Sequence, residues 1–233
     1  MHFPILFEDD HLIAINKPPS MLVHRTPLSE DKVFVLQLLR EQLGGLHVFP
    51  AHRLDRATSG VLVFAKNTQD AGALGATLMG QAWDKKYLAL VRGFPTPPDG
   101  LIDYPLSDPE TGKMEPLVAQ TRYHTRCTSE KPWPVGLRYP SARFSLLEVY
   151  PITGRRQQIR KHFAHLRHPI IGDSQMGDVK FKRFFRAQGW PERLMLHASA
   201  LTLPHPATGD TLHLYAPLDD AFQQVLELTG CVI

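Results

Sequence analysis

Apolar and polar positions along this chain switch between two spacings, and the switches mark its elements. Ile5–Phe7 and Leu12–Ile15 are short apolar runs around the acidic turn Glu8-Asp9-Asp10, a pattern that predicts two strands. Lys17-Pro18-Pro19 stops regular structure, because proline fixes φ and has no N–H to donate. Between Val33 and Leu43 the apolar positions 35, 36, 38, 39 and 43 follow mostly helical spacing, and Gly44-Gly45 supplies the stop. Val61–Ala65 is an unbroken apolar run, the mark of a buried strand. Asn67 or Thr68 then caps a helix whose apolar face is Ala71, Leu74 and Leu78. Further on, Tyr87–Val91 and Phe144–Tyr150 read as strands, and Gln157–Leu166 as a helix ended by His168-Pro169. Leu194–Leu203 and Leu212–Tyr215 are strands on either side of a Pro/Gly turn, and Pro217–Leu228 is a closing helix with Gly230 as its cap.

Three stretches show no period. Pro95, Pro97, Pro98 and Gly100 predict a loop, residues 128–142 a second loop rich in Pro, Ser and Arg, and residues 174–191 a loop with room for a short helix. Strands and helices are interspersed without a repeating βαβ unit. The expected class is therefore α+β, a mixed, mainly antiparallel sheet flanked by helices. No internal repeat or long linker demands two independent domains, so residues 1–233 are expected to form a single domain. The two proline-rich loops could still divide the sheet into lobes around a central cleft.

Composition narrows the class without naming a function. The 233 residues are 43% hydrophobic and 21% charged, as in an ordinary globular chain, and the net charge of +3 does not by itself imply a polyanionic partner. Cys127 and Cys231 lie far apart with no CxxC spacing, which removes zinc-ribbon and dithiol redox motifs and suits a reducing compartment. The acidic start at Glu8–Asp10 does not fit a signal peptide, and no apolar run reaches membrane-spanning length, so a cytoplasmic protein is expected. There is no P-loop, no GxGxxG after a strand and no GxSxG elbow, and no cofactor is expected.

The chemistry concentrates in two segments. In His52-Arg53-Leu54-Asp55-Arg56-Ala57-Thr58-Ser59-Gly60, one carboxylate stands between two arginines at the mouth of a buried strand. An aspartate before Thr-Ser-Gly is good turn chemistry and needs no further role. The flanking arginines favour its charged form and attract phosphate, which suits nucleophilic chemistry on an anionic substrate. The second segment, residues 153–168, reads TGRRQQIRKHFAHLRH and holds no acid. Arg156, Arg160 and Lys161 are expected close together on a helical face, with Arg155 near the helix start, where a cation opposes the helix dipole. So long a basic run favours polyanion binding over a merely solvated face. His162, His165 and His168 are spaced for a helical metal site, but without an HExxH pattern or a cysteine partner they read better as packing or RNA-contact residues. Tyr87 at the head of its strand is either an ordinary strand aromatic or a ring that stacks on an unstacked base.

Taken together, HRLDRATSG at 52–60, KKYLALVRG at 85–93, TGRRQQIRKHFAHLRHPIIGD at 153–173 and LMLHASALTLPHPATG at 194–209 resemble the RluA family of pseudouridine synthases, in the family's order and spacing. The resemblance implies the pseudouridine synthase fold with a central basic cleft, an RNA partner and no S4 RNA-binding domain; no membrane and no obligate protein partner are expected. LVHRT at 22–26 and HFAHLRHPIIGDSQMGD at 162–178 look most like the subgroup that acts on uridine 65 of tRNA; ribosomal RNA is the alternative substrate, and a non-catalytic RNA-binding protein the alternative of another class. By resemblance Asp55 is the catalytic carboxylate, and attack on C1′, addition to C6 and removal of a C2′ proton all stay open to it. Arg160 matches the arginine that pairs with that carboxylate, and Tyr87 the tyrosine that packs on the target base. Ile159 and Leu196 match apolar walls of the uracil pocket, and Arg56, beside the carboxylate, is a candidate for prising the uridine out and holding the vacated space. Arg53, Arg155, Arg156 and Lys161 are expected to contact phosphates. One position departs: the family usually has histidine where this chain has Gln157, which is expected to alter a supporting contact.

Overall fold

The computed structural model describes residues 2–24, 32–108, 113–135 and 139–232. Arg25 and Thr26 of the LVHRT block, and residues 136–138 of the expected 128–142 loop, lie outside the described residues. In chain order the elements are β1 (Ile5–Glu8), β2 (Leu12–Lys17), α1 (Val35–Gln42), β3 (Phe49–Pro50), β4 (Ser59–Ala65), α2 (Thr68–Met79) and β5 (Asp84–Arg92). Then come β6 (Asp99–Asp103), β7 (Leu106–Asp108), β8 (Lys113–Leu117), β9 (Gln120–Lys131), β10 (Ala142–Pro151), α3 (Gln158–His165), α4 (Val179–Ala187), β11 (Leu196–Pro204), β12 (Thr211–Tyr215) and α5 (Asp220–Thr229). The α+β class and its mainly antiparallel pairing agree with the sequence pattern. The chain falls into two compact units, Met1–Lys85 with Ala198–Pro217, and Lys86–His197 with Leu218–Ile233.

In the first unit β1, β2 and β4 are antiparallel neighbours, β3 also pairs with β4, and β11 pairs with β12. All seven residues of β4 are buried, as its unbroken apolar run demands. Against it pack Leu12, Ala14, Leu74, Trp83, Leu201 and Leu214. Helix α2 presents Leu74, Ala71 and Leu78 to this core, and its cap is Asn67, whose side chain accepts the Asp70 N–H at 2.9 Å.

In the second unit β10 lies between β5 and β9, and β6 extends the far side of β9, all antiparallel. Strand β9 runs through Lys131 and β6 begins at Asp99, so parts of both expected loops are strand. Burial alternates along β9, the signature of a half-buried strand; its polar side chains conceal that period in the bare sequence. The 174–191 stretch holds a nine-residue helix, α4, capped by Asp178. Its Phe181, Phe184 and Phe185 join Trp190, Trp133 and Phe144 in one aromatic cluster. So short a helix depends on that tertiary packing rather than on its own propensity. Both cysteines are reduced, and Cys127 Sγ lies 3.8 Å from the carbonyl of Gly230, next to Cys231. Burial pushes the Cys231 thiol up to about 12. Among the described residues no helix is long and apolar enough to cross a membrane.

Candidate active site

The Asp55 loop belongs to the first unit and is shaped by its neighbours. Asp55 accepts the Thr58 N–H through its own carbonyl at 3.1 Å, which closes a tight turn into β4. Lys17, fully buried at the end of β2, donates from Nζ to the carbonyls of Pro18, Arg56 and Thr58 at 2.9, 3.1 and 2.7 Å. A buried ammonium needs its donors satisfied, and here three backbone oxygens on both sides of the turn do so. Gly60, paired with Lys17 across the strands, has φ +113°, and a Cβ there would lie 2.2 Å from the Ala198 carbonyl oxygen. Glycine is therefore a requirement of this turn. Leu54 is buried, Asp55 half-buried, and Arg53 and Arg56 are exposed; Arg56 Nε donates to the Ser20 carbonyl at 3.3 Å.

His52, at the head of the motif, is a packing residue. Its Nε2 accepts the Val63 N–H at 3.2 Å, and its ring meets Trp83 edge-on at 5.4 Å. Desolvation, with Lys85 close by, lowers its pKa to about 3, so it is neutral.

The remaining sequence-picked residues lie in the second unit. Tyr87 is half-buried on β5 opposite Val149 of β10. Next to it Lys86 pairs with Glu148 at 2.5 Å. Helix α3 is set by Gln158, a buried amide that sequence reading overlooked. Its Oε1 accepts from Thr153 Oγ1 at 2.7 Å and Arg155 N at 2.9 Å, and its Nε2 donates to Gln120 O and Thr121 Oγ1, both at 2.9 Å. Gln157 precedes it in the left-handed region, φ 54°.

The basic run is not one face. Arg155 and Arg156 precede α3 and are exposed, with Arg155 Nε donating to Val118 O at 3.0 Å. Lys161 is half-buried, and its Nζ donates to Ser107 O at 3.1 Å. Arg160 instead turns inward, 5% exposed, and forms a fork with Asp173: Nε to Oδ2 at 2.7 Å and Nη2 to Oδ1 at 2.8 Å. Asp173 also accepts the Gln175 and Met176 N–H groups at 2.9 and 3.0 Å. Burial alone would raise the Asp173 pKa, but the Arg160 pair and these backbone donors leave it below its ordinary value. Ile159 and Leu196 are both buried.

The three histidines go separate ways. His162 is buried between Thr121 Oγ1 at 2.9 Å and Tyr104 O at 3.0 Å, and desolvation lowers its pKa. His165 stacks on the Tyr104 ring at 3.6 Å, and His168 Nδ1 contacts Arg92 O at 2.9 Å. Among the described residues no group of three or more His, Cys, Asp or Glu could hold a metal ion. Three residues were missed from sequence, Lys17, Gln158 and Asp173; Lys17 and Asp173 share one weak signal, a polar side chain close behind a short apolar run, and Gln158 has none.

A family profile described as RNA pseudouridylate synthase matches residues 11–165. The chain is 42% identical over 230 residues to tRNA pseudouridine synthase C of Vibrio parahaemolyticus, covering 95% of this chain and 92% of that protein. It is 44% identical over 236 residues to tRNA pseudouridine synthase C of Salmonella typhi, covering 97% and 89%. Against the protein of that name from Pectobacterium carotovorum it is 43% identical, and it spans 62% of that longer chain. Among solved structures, human RNA pseudouridylate synthase domain containing 4 superposes with a TM-score of 0.76 at 26% identity, over 97% of this chain and 93% of that one. Human RNA pseudouridylate synthase domain containing 1 shares the fold, with a TM-score of 0.74 at 23% identity, over 99% of this chain and 87% of that one.

Proposed function

The chain belongs to the RNA pseudouridylate synthase family, and on that footing we infer that it is an isomerase converting a uridine of tRNA to pseudouridine, with uridine 65 as the target. The observation that carries this reading is the identity of 42–44% with tRNA pseudouridine synthase C proteins along 95–97% of the chain. On this reading the protein works in the cytoplasm, where it meets its tRNA substrate.

The reaction is a rearrangement. The N1–C1′ bond breaks, the uracil turns, C5 bonds to C1′, and the C5 proton leaves as N1 gains one. Asp55 is the proposed catalytic carboxylate, on a turn held by the Lys17 ammonium. Arg160 is its proposed guanidinium partner, and Tyr87 packs on the base. Ile159 and Leu196 wall the uracil. Flipping a stacked uridine costs a few kcal/mol, which phosphate contacts from Arg53, Arg155, Arg156 and Lys161 offset, while Arg56 holds the vacated space.

Tritium release from C5-labelled uridine in tRNA tests the assignment, with large-subunit rRNA fragments alongside. Release from tRNA, mapped to position 65, is expected. Release from rRNA alone overturns the substrate, and no release from either overturns the activity.

A further inference from the structure

We propose that Asp173 is a positioning residue for the isomerisation: it grips the Nε–Nη2 edge of Arg160 and so fixes the orientation in which that guanidinium works. This rests on the reading of Arg160 given above.

The geometry is that of a built clamp. An arginine carries its charge at the end of a long, freely rotating stem, and only a two-point contact sets both the position and the plane of the guanidinium. Asp173 supplies such a contact at 2.7 and 2.8 Å, and the pair is buried, with side chains 6% and 1% exposed. The carboxylate is itself immobilised. Its Oδ1 accepts the N–H groups of Gln175 and Met176. The preceding Gly172 has φ +76°, and a Cβ there would lie 1.7 Å from the Arg193 carbonyl oxygen. Gly177 is confined in the same way, with a Cβ 2.2 Å from the Asp173 carbonyl. On both sides of the aspartate the backbone packs too closely to admit a side chain, so glycine is required there.

A second contact comes from Gln157. Gln157 Nε2 donates to Gln175 Oε1 at 3.0 Å, and the same oxygen accepts from Arg160 Nη2 at 3.3 Å. Gln157 thus reaches Arg160 through Gln175, and steadies the clamp from its solvent end. Misplacing a reacting group by about 1 Å costs on the order of a hundredfold in rate. A loosened guanidinium should therefore lower turnover more than substrate affinity.

Four variants test this on C5-tritiated tRNA: Asp173→Asn, Asp173→Glu, the double variant Gln157→Leu/Gln175→Leu, and Arg160→Met, each with its melting temperature recorded. Asp173→Asn should lose at least about tenfold in kcat with KM within about twofold, and Asp173→Glu should recover part of that loss. The double variant should lose about two- to fivefold in kcat at an unchanged melting temperature. Wild-type kcat in folded Asp173→Asn, or a loss confined to KM, overturns the proposal. Should Asp173→Asn not fold, an unchanged kcat in the double variant overturns it instead. Full activity in Arg160→Met would remove the role of Arg160 itself, whereas an inactive Arg160→Met beside an active Asp173→Asn removes only the clamp.

Discussion

The Asp55 carboxylate hangs from a turn whose carbonyls are drawn together by the Lys17 ammonium, so the backbone that carries it is fixed from beneath. Replacing it with asparagine keeps the shape and removes the charge on which its proposed catalytic role depends. Asp55→Asn is expected to lower kcat by at least about a thousandfold while tRNA affinity stays within about twofold. Turnover by tritium release and affinity by filter binding check this, and substantial product from the variant would remove the carboxylate from the mechanism. Beside it, His52 makes a prediction about pH. Its folded pKa is about 3 against an ordinary 6.5, so between those values the unfolded chain holds a proton that the folded one refuses. Stability is complete above pH 6.5 and declines as pH falls toward 3. His52→Gln, which can still accept the Val63 N–H, should flatten that decline in urea midpoints taken from pH 7 to 4; an unchanged slope would assign acid sensitivity elsewhere.

At the scale of elements, β4 and α3 each depend on one residue at the head. Gly60→Ala would force a Cβ into the Ala198 carbonyl at a φ that side chains avoid, at a cost of about 2–3 kcal/mol read as a lower urea midpoint. A neutral result would mean that β4 and β11 can part without cost. Gln158 holds the approach to α3 through four hydrogen bonds. Gln158→Leu leaves Thr121 Oγ1 and the Arg155 N–H without it, and is expected to destabilise by about 1–3 kcal/mol. Thermal melts measure this, and a variant as stable as wild type would show that the approach is held by other contacts. Most of these elements are legible in sequence, because amphipathic spacing, caps and proline stops act within a few residues. The exceptions are α4, β9 and the short strands β3, β6, β7 and β8. Helix α4 is short and stands on aromatic neighbours from elsewhere in the chain, and β9 carries polar side chains whose alternation shows only once the strand is folded.

For the whole molecule, net charge is slight, so affinity for RNA should come from local clusters rather than from a global field. Arg155 and Arg156 are exposed ahead of α3. Their joint replacement by alanine is expected to weaken tRNA binding and to reduce the slope of log affinity against log salt by about 2. Equal slopes for wild type and variant would exclude them as phosphate contacts.

The amino-acid sequence by itself determined the α+β class, the family and the elements with a clear period, since periodicity and contiguous motifs such as HRLDRATSG are local properties. What Arg160 grips was decided only by the tertiary structure. From spacing it belonged to a basic face with Arg156 and Lys161; in the fold it turns inward to Asp173, thirteen residues away. The same holds for Lys17, whose three carbonyl partners include two some forty residues distant. Burial creates the demand for a partner, and burial is a property of the packed chain, not of any stretch of it.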